Sequence, residues 1–255
     1  MKTVLQRIYS DYLMPSRLHR YEALLDQAQT DGYAQLSLRA FLQAPTGPVL
    51  VHRHDIDSDL RTARKMFAIE TRYGVRASYY FRLSTLDPGF MRDIEAYGSE
   101  ASYHFEEVAD YAKQNRIRNA AELRLRFPEI RLRFFDNFQR IEAMVASKLT
   151  TVASHGDFAN RRLKVINHEI LREPAFRARC GIRCEAYDPE VLAQFDLYIS
   201  DKPFPRYFHP VSPFDALGRY QRICLLTHPV QWETNWAEST RCNVRRLYEE
   251  MAWQA

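Results

Sequence analysis

The sequence predicts an α/β fold, a distorted (β/α) barrel of about seven parallel strands with an N-terminal helical extension. Three observations carry this expectation. Seven short apolar runs alternate with helical stretches over about 200 residues, the order that builds a parallel sheet with right-handed crossovers. Each run ends in a polar and often ionisable residue, and the strand ends of such a barrel converge on one face. The chain has only 8 glycines and neither a Gly-x-Gly-x-x-Gly nor a Gly-Lys-Ser/Thr run, which turns it away from nucleotide-binding sheets.

Residues 4–45 read as a helical preface of short amphipathic pieces, broken at Asp31-Gly32 and closed by Ala44-Pro45-Thr46-Gly47-Pro48. The first strand is Val49-Leu50-Val51-His52, running into Arg53-His54-Asp55-Ile56-Asp57. The spacing of Leu60, Ala63, Met66, Phe67 and Tyr73 predicts a helix over 59–73, capped by Ser58 or Asp59 and stopped by Gly74. Further strands are expected at 75–83, 100–105, 150–154, 182–187, 195–200 and 222–227. Helices are expected near 91–97, over most of 106–149, at 163–172, at 189–195 and at 239–251. The Pro- and aromatic-rich stretch 202–220 reads as a long loop. No boundary divides residues 1–255 into two domains.

With 255 residues, 46% of them hydrophobic and 27% charged, the chain can bury a sizeable core. A net charge of +4 from 36 basic and 32 acidic residues is too small and too dispersed to indicate nucleic acid. Arg133, Arg140, Arg161 and Arg162 are candidates for an anionic ligand, against the plainer reading of solvated helix faces. The segment Met1-Lys2-Thr3-Val4-Leu5-Gln6-Arg7 lacks the apolar core of an export signal. No stretch approaches the roughly 20 apolar residues of a membrane span. The cysteines Cys180, Cys184, Cys224 and Cys242 lack a second metal-spaced pair, so the expectation is a cytoplasmic protein with free thiols.

Asp55 and Asp57 lie two apart at a strand end and so point the same way. Such a pair repels itself unless a cation intervenes; a metal can bind one carboxylate while the other stays free as a general base. A strand-end cap, or ion pairs with Arg53 and Arg61, is the structural alternative. His104 and His155 end two successive strands, and imidazole with carboxylate suits zinc and related divalent ions, three protein ligands leaving a place for water. His228 ends the last strand, where it either protonates a leaving group or is a core histidine. Asp201 either orients His228, binds substrate or caps a turn. Trp232, with Phe204, Tyr207 and Phe208, either stacks on a sugar or packs in the core.

At these residues the chain resembles the polysaccharide deacetylase superfamily (NodB-homology, carbohydrate esterase family 4-like), in a branch whose first motif reads Arg-His-Asp-Val-Asp. The resemblance rests on Arg53-His54-Asp55-Ile56-Asp57, the strand Val75-Arg76-Ala77-Ser78-Tyr79-Tyr80-Phe81-Arg82 and Leu225-Leu226-Thr227-His228-Pro229. It covers roughly residues 48–232. It implies a distorted barrel and a divalent metal, usually zinc, with Asp55 as general base, Asp57 and His104 as metal ligands and His228 as general acid. The chain departs from the pattern at Val108, where the second ligand histidine would stand, and at Gly98-Ser99-Glu100, where Gly-His-Glu is common. His155 is the expected replacement ligand and Asp157 the fallback. The usual Arg-Pro motif is not evident, so Arg53 or Arg161 is expected to hold Asp55.

The expectation is therefore a zinc-type hydrolase that removes an acyl group, acetyl first, from an N-acylated sugar. Catalytic residues would be Asp55 and His228; the metal would sit on Asp57, His104 and His155; Arg53, Arg161, Asp201 and Trp232 would bind substrate. The expected partner is a lipid- or nucleotide-linked glycan precursor of surface polysaccharide (O-antigen or capsule), with the basic helices at 113–140 facing an anionic carrier or membrane surface. The rivals are a catalytically degenerate glycan-binding barrel and a metal-free hydrolase of a non-sugar amide.

Overall fold

The run Val49–Ile56 is buried at every position, its apolar start Val49-Leu50-Val51 and its polar continuation His52-Arg53-His54-Asp55 alike, as a strand covered on both faces is. It is the central strand of the sheet. The computed structural model describes residues 4–254. Its strands are β1 (Ala34–Leu36), β2 (Val49–Ile56), β3 (Ser78–Phe81), β4 (Glu100–Phe105), β5 (Thr151–Ser154), β6 (Cys184–Glu185), β7 (Leu197–Asp201), β8 (Phe208–His209) and β9 (Arg222–Thr227). The helices are α1 (Val4–Ile8), α2 (Leu18–Thr30), α3 (Leu38–Phe41), α4 (Leu60–Tyr73), α5 (Pro88–Tyr97), α6 (Glu107–Gln114), α7 (Ala120–Leu125), α8 (Phe127–Val145), α9 (Phe158–Leu163), α10 (Pro174–Cys180), α11 (Pro189–Leu192), α12 (Pro213–Ala216) and α13 (Trp236–Gln254).

All seven expected strands occur, and they pair in parallel in the order β6-β5-β4-β3-β2-β9-β7. Two strands were not expected. In the helical preface, β1 pairs with Val49–Val51 of β2, on the edge that β3 takes over from Arg53 onward. In the long loop, β8 runs antiparallel to β7. The expected closed barrel is a curled half-barrel instead: the path ends at β6 and β8, which do not pair among the described residues. At the β6 edge the Glu185 carboxylate accepts from the backbone N–H of Ser154 and of Tyr187, at 2.8 and 2.9 Å, and Ala186 N still donates to Val152 O at 2.8 Å. The expected helix at 163–172 is divided between α9 and a 3₁₀ turn over Asn167–Arg172, and α10 follows it.

The turn from β2 into α4 is tight. Asp59 adopts φ +57°, a left-handed conformation that Asp tolerates, and its carboxylate accepts from Thr62 N at 3.3 Å and Thr62 Oγ1 at 2.6 Å. Gly74, at φ +69°, ends that helix. On the β3–β5 side, α5, α6 and α8 bury Phe81, Phe90, Tyr103, Phe105, Phe134 and Phe138 against the sheet. The Phe134 ring lies 5.0 Å from Phe105 and 5.8 Å from Tyr103, and each such aromatic contributes about 1.5–3 kcal/mol by burial. Val108 belongs to this core and is fully buried. The four cysteines are free thiols, and no helix among the described residues is long and apolar enough to cross a membrane.

Candidate functional site

The C-terminal ends of β2, β4, β5 and β9 carry Asp55 and Asp57, His104, His155 and His228, and all five line one cavity of about 610 Å³. His155 reaches it through the backbone. Its N–H donates to Phe105 O at 2.8 Å, which extends the β4–β5 ladder one step beyond the strand. The register therefore delivers the second histidine from the neighbouring strand, while position 108, one turn into α6, is in the core.

Three atoms converge in the cavity. Asp57 Oδ1 lies 3.2 Å from His104 Nε2 and 3.0 Å from His155 Nδ1, and the two nitrogens are 3.3 Å apart. Ligands bound at about 2.0–2.1 Å in tetrahedral geometry stand about 3.3 Å from one another, so the spacing fits a zinc-sized ion. Asp57 Oδ1 is buried, and although both imidazoles lie at contact distance, neither meets it in hydrogen-bond geometry. An oxygen left in that state fits a cation better than a proton donor. His104 Nδ1 lies 3.0 Å from Ala153 O, a carbonyl that can only accept, so Nδ1 carries the proton and Nε2 presents its lone pair. Burial would raise the Asp57 carboxyl, but His155 and His104 hold it well below the usual carboxylate range. It is anionic, as a ligand must be.

Asp55 is held from behind. Arg53 Nε and Nη2 donate to its two oxygens at 2.9 and 2.7 Å, and both side chains are buried. Burial would raise the Asp55 carboxyl; Arg53, with help from His104 and His228, lowers it instead. The guanidinium lies 4.2 Å over the Tyr187 ring. Opposite, His228 Nδ1 lies 2.6 Å from Asp201 Oδ1, and its Nε2 faces Asp57 Oδ2 at 4.0 Å. Burial would lower this imidazole, but Asp201 raises it to about 9, so it is protonated near neutrality. A fixed anionic carboxylate and a fixed imidazolium thus flank a cluster that could hold a metal.

Two expected substrate contacts have other places. Asp201 does not face the ligand: its second oxygen accepts from His228 N at 2.7 Å and Trp232 Nε1 at 3.1 Å, so both oxygens are committed to holding His228. Trp232 is fully buried and cannot stack on a sugar. It packs against Tyr21 and Phe208 beneath the site. Of the aromatic loop, Phe204 packs on Tyr9 and Tyr207 under the Arg17 guanidinium, and none of these rings lines the cavity. Arg161 does not touch Asp55; it lines a neighbouring cavity of about 390 Å³ that shares Asp57 and His155 with the first. On the basic helices, Arg124, Arg126 and Arg131 pair with Glu169, Glu129 and Glu173.

A second group of possible ligands, Glu106, His155 and Asp157, is already neutralised. Arg82 holds both oxygens of Glu106, Lys113 lies 3.1 Å from Asp157 Oδ2, and Asp157 Oδ1 caps α9. Of the two groups, Asp57, His104 and His155 are thus the one whose atoms are left free to hold a metal, and Asp157 is committed elsewhere. The cavity also has walls that sequence reasoning missed: Tyr187, Tyr198, Ser200, Lys202 and His209. The signal was the alternation of polar and apolar residues along β7, which reads equally well as an exposed edge.

The fold and the site together define an α/β protein with a buried Asp-His-His cluster at the strand ends of a half-barrel. No protein-family model matches the chain, and no curated protein matches it.

Proposed function

We propose that the protein is a metal-dependent hydrolase that removes an acyl group, acetyl in the simplest case, from an N-acylated sugar of a surface-polysaccharide precursor. The observation that carries this reading is the orphaned Asp57 Oδ1, faced by two imidazole nitrogens and set between an arginine-held carboxylate and an aspartate-held imidazolium. The resemblance of Arg53-His54-Asp55-Ile56-Asp57 to the first motif of the polysaccharide deacetylases supports it.

Asp57, His104 and His155 would hold the metal, and a bound zinc would polarise the amide carbonyl and lower the pKa of water. Asp55, kept ionised by Arg53, takes the proton of the attacking water. His228 Nε2 gives its proton to the departing nitrogen as the C–N bond breaks, so that water and amide become carboxylate and amine. Asp201 and Trp232 keep the imidazole in place for that transfer. The test is acetate release from a panel of N-acetylated sugars and their phosphate-linked forms, with zinc and with a chelator. Zinc-dependent release supports the assignment. Micromolar sugar binding without release under either condition would make the chain a glycan-binding protein instead.

A further inference from the structure

Strand β7 sorts its residues by two. Leu197 and Ile199 enter the apolar core, Asp201 stands behind His228, and Tyr198, Ser200 and Lys202 line the cavity of the Asp57 cluster. Ser200 is satisfied within the wall, its Oγ donating to Asp201 O at 3.1 Å, but Lys202, the Tyr198 hydroxyl and Arg53 Nη1 beside it lack anionic acceptors among the described residues. The Lys202 ammonium donates to Ser200 Oγ at 3.1 Å, and no carboxylate pairs with it among the described residues. The Tyr198 hydroxyl is buried, near Tyr187 but out of hydrogen-bond geometry with it. Arg53 Nη1, close to Tyr198, is also buried without a partner. Among the described residues the carboxylates that line the cavity are Asp55, held by Arg53, and Asp57, which faces His104 and His155 rather than this wall. Buried donors require acceptors, and charge-assisted bonds to an oxyanion are the strongest on offer.

We propose that this wall binds an oxyanion, a phosphate or a carboxylate, carried by the same ligand whose acyl group lies at the Asp57 cluster. The inference rests on the reading of the cavity as an acyl-sugar site, and it makes the substrate an anionic sugar derivative. Lys202, propped on Ser200, supplies the charge, while Tyr198 supplies a directed hydroxyl. Arg161, in the neighbouring cavity, has no part in it.

The experiment is calorimetric binding of three deacylated amino sugars, which cannot turn over: glucosamine, glucosamine 1-phosphate and glucosaminuronic acid. Metal content and acetate release are measured on the same preparations. Wild type is expected to prefer a probe that carries an oxyanion by about tenfold, the worth of one charge-assisted hydrogen bond. Lys202→Ala should abolish that preference through weaker binding of the oxyanion probes alone, whereas Arg161→Ala should keep it. Preference for the phosphate alone identifies a phosphate-bearing substrate, and preference for the uronate alone a carboxylate. Equal affinities in wild type, uniform weakening by Lys202→Ala, or loss of the preference in Arg161→Ala instead would each overturn the assignment. A preference that persists without metal or acetate release supports this inference and overturns the hydrolase reading. Acetate release without any charge preference does the reverse.

Discussion

The two faces of β2 both bury charge, yet only one of them is closed. On the helical side, His54 Nε2 meets Glu70 Oε1 at 2.6 Å and His54 Nδ1 meets Thr227 Oγ1 at 2.6 Å. The Tyr21 and Tyr79 hydroxyls, each at 2.5 Å, complete the two oxygens of Glu70. Every polar atom named there has a partner. His52, on the same face, keeps Nε2 on Gln35 while its buried Nδ1 has no partner, and burial, its dominant influence, brings it down to about 3 and leaves it neutral and outside the Glu70 network. On the cavity side, Arg53 and Asp55 pair with each other, but Asp57 Oδ1 and Arg53 Nη1 are left over. Burial alone therefore does not distinguish structure from function here. A satisfied network holds α2 and α4 to the sheet, and an unsatisfied, convergent one waits for a ligand.

The largest effect that sharpens this contrast is on the cavity side. Asp55→Asn should lower turnover about 100- to 10,000-fold while metal content remains that of wild type. Loss of metal together with turnover would mean that Asp55 is a ligand and not the base. On the closed side, Glu70→Ala leaves two tyrosine hydroxyls and an imidazole without their acceptor. It should cost about 3–5 kcal/mol in urea unfolding, as breaking a buried pair does. A cost below 1 kcal/mol would remove the distinction between the faces.

A smaller effect comes from Glu107, which is outside both networks. Burial pushes its carboxyl up to about 7, its Oε1 accepts from Tyr103 and Asn137, and its Oε2 has no partner and so carries the proton. The unfolded chain releases that proton near pH 4.5, while the folded chain keeps it to about 7. The stability it contributes is therefore complete below pH 4.5 and is lost as pH rises through 7, at about 1.4 kcal/mol per pH unit. Glu107→Gln keeps the acceptor for Tyr103 and Asn137 and should flatten that part of the stability profile. An unchanged slope would place the titrating group elsewhere.

Much of this was legible in the sequence. The seven parallel strands followed from runs with turn residues between them. Asp55, Asp57, His104 and His228 followed from their places at strand ends, and His155 from being the next strand end after the departure at Val108. Strands β1 and β8 have three and two residues, too few for a period of two to register, and β6 keeps only two of the six residues expected at 182–187. That is why β1 was hidden in a helical preface and the barrel was expected to close. Trp232 was misplaced as a substrate contact for a different reason, and Asp201 took the other role open to it, orienting His228. An indole just past the last strand reads as a sugar platform until its N–H is seen on Asp201, 31 residues away in the chain. Lys202 was passed over because its significance lies in the carboxylate it lacks.

The central claim is that Asp57, His104 and His155 form a metal site. Elemental analysis of purified wild type, His155→Ala and Asp55→Asn, each after incubation with zinc, tests it most directly. Near one equivalent of metal in wild type and in Asp55→Asn, with loss in His155→Ala, is the predicted result. No metal in wild type, or full retention in His155→Ala, would contradict it.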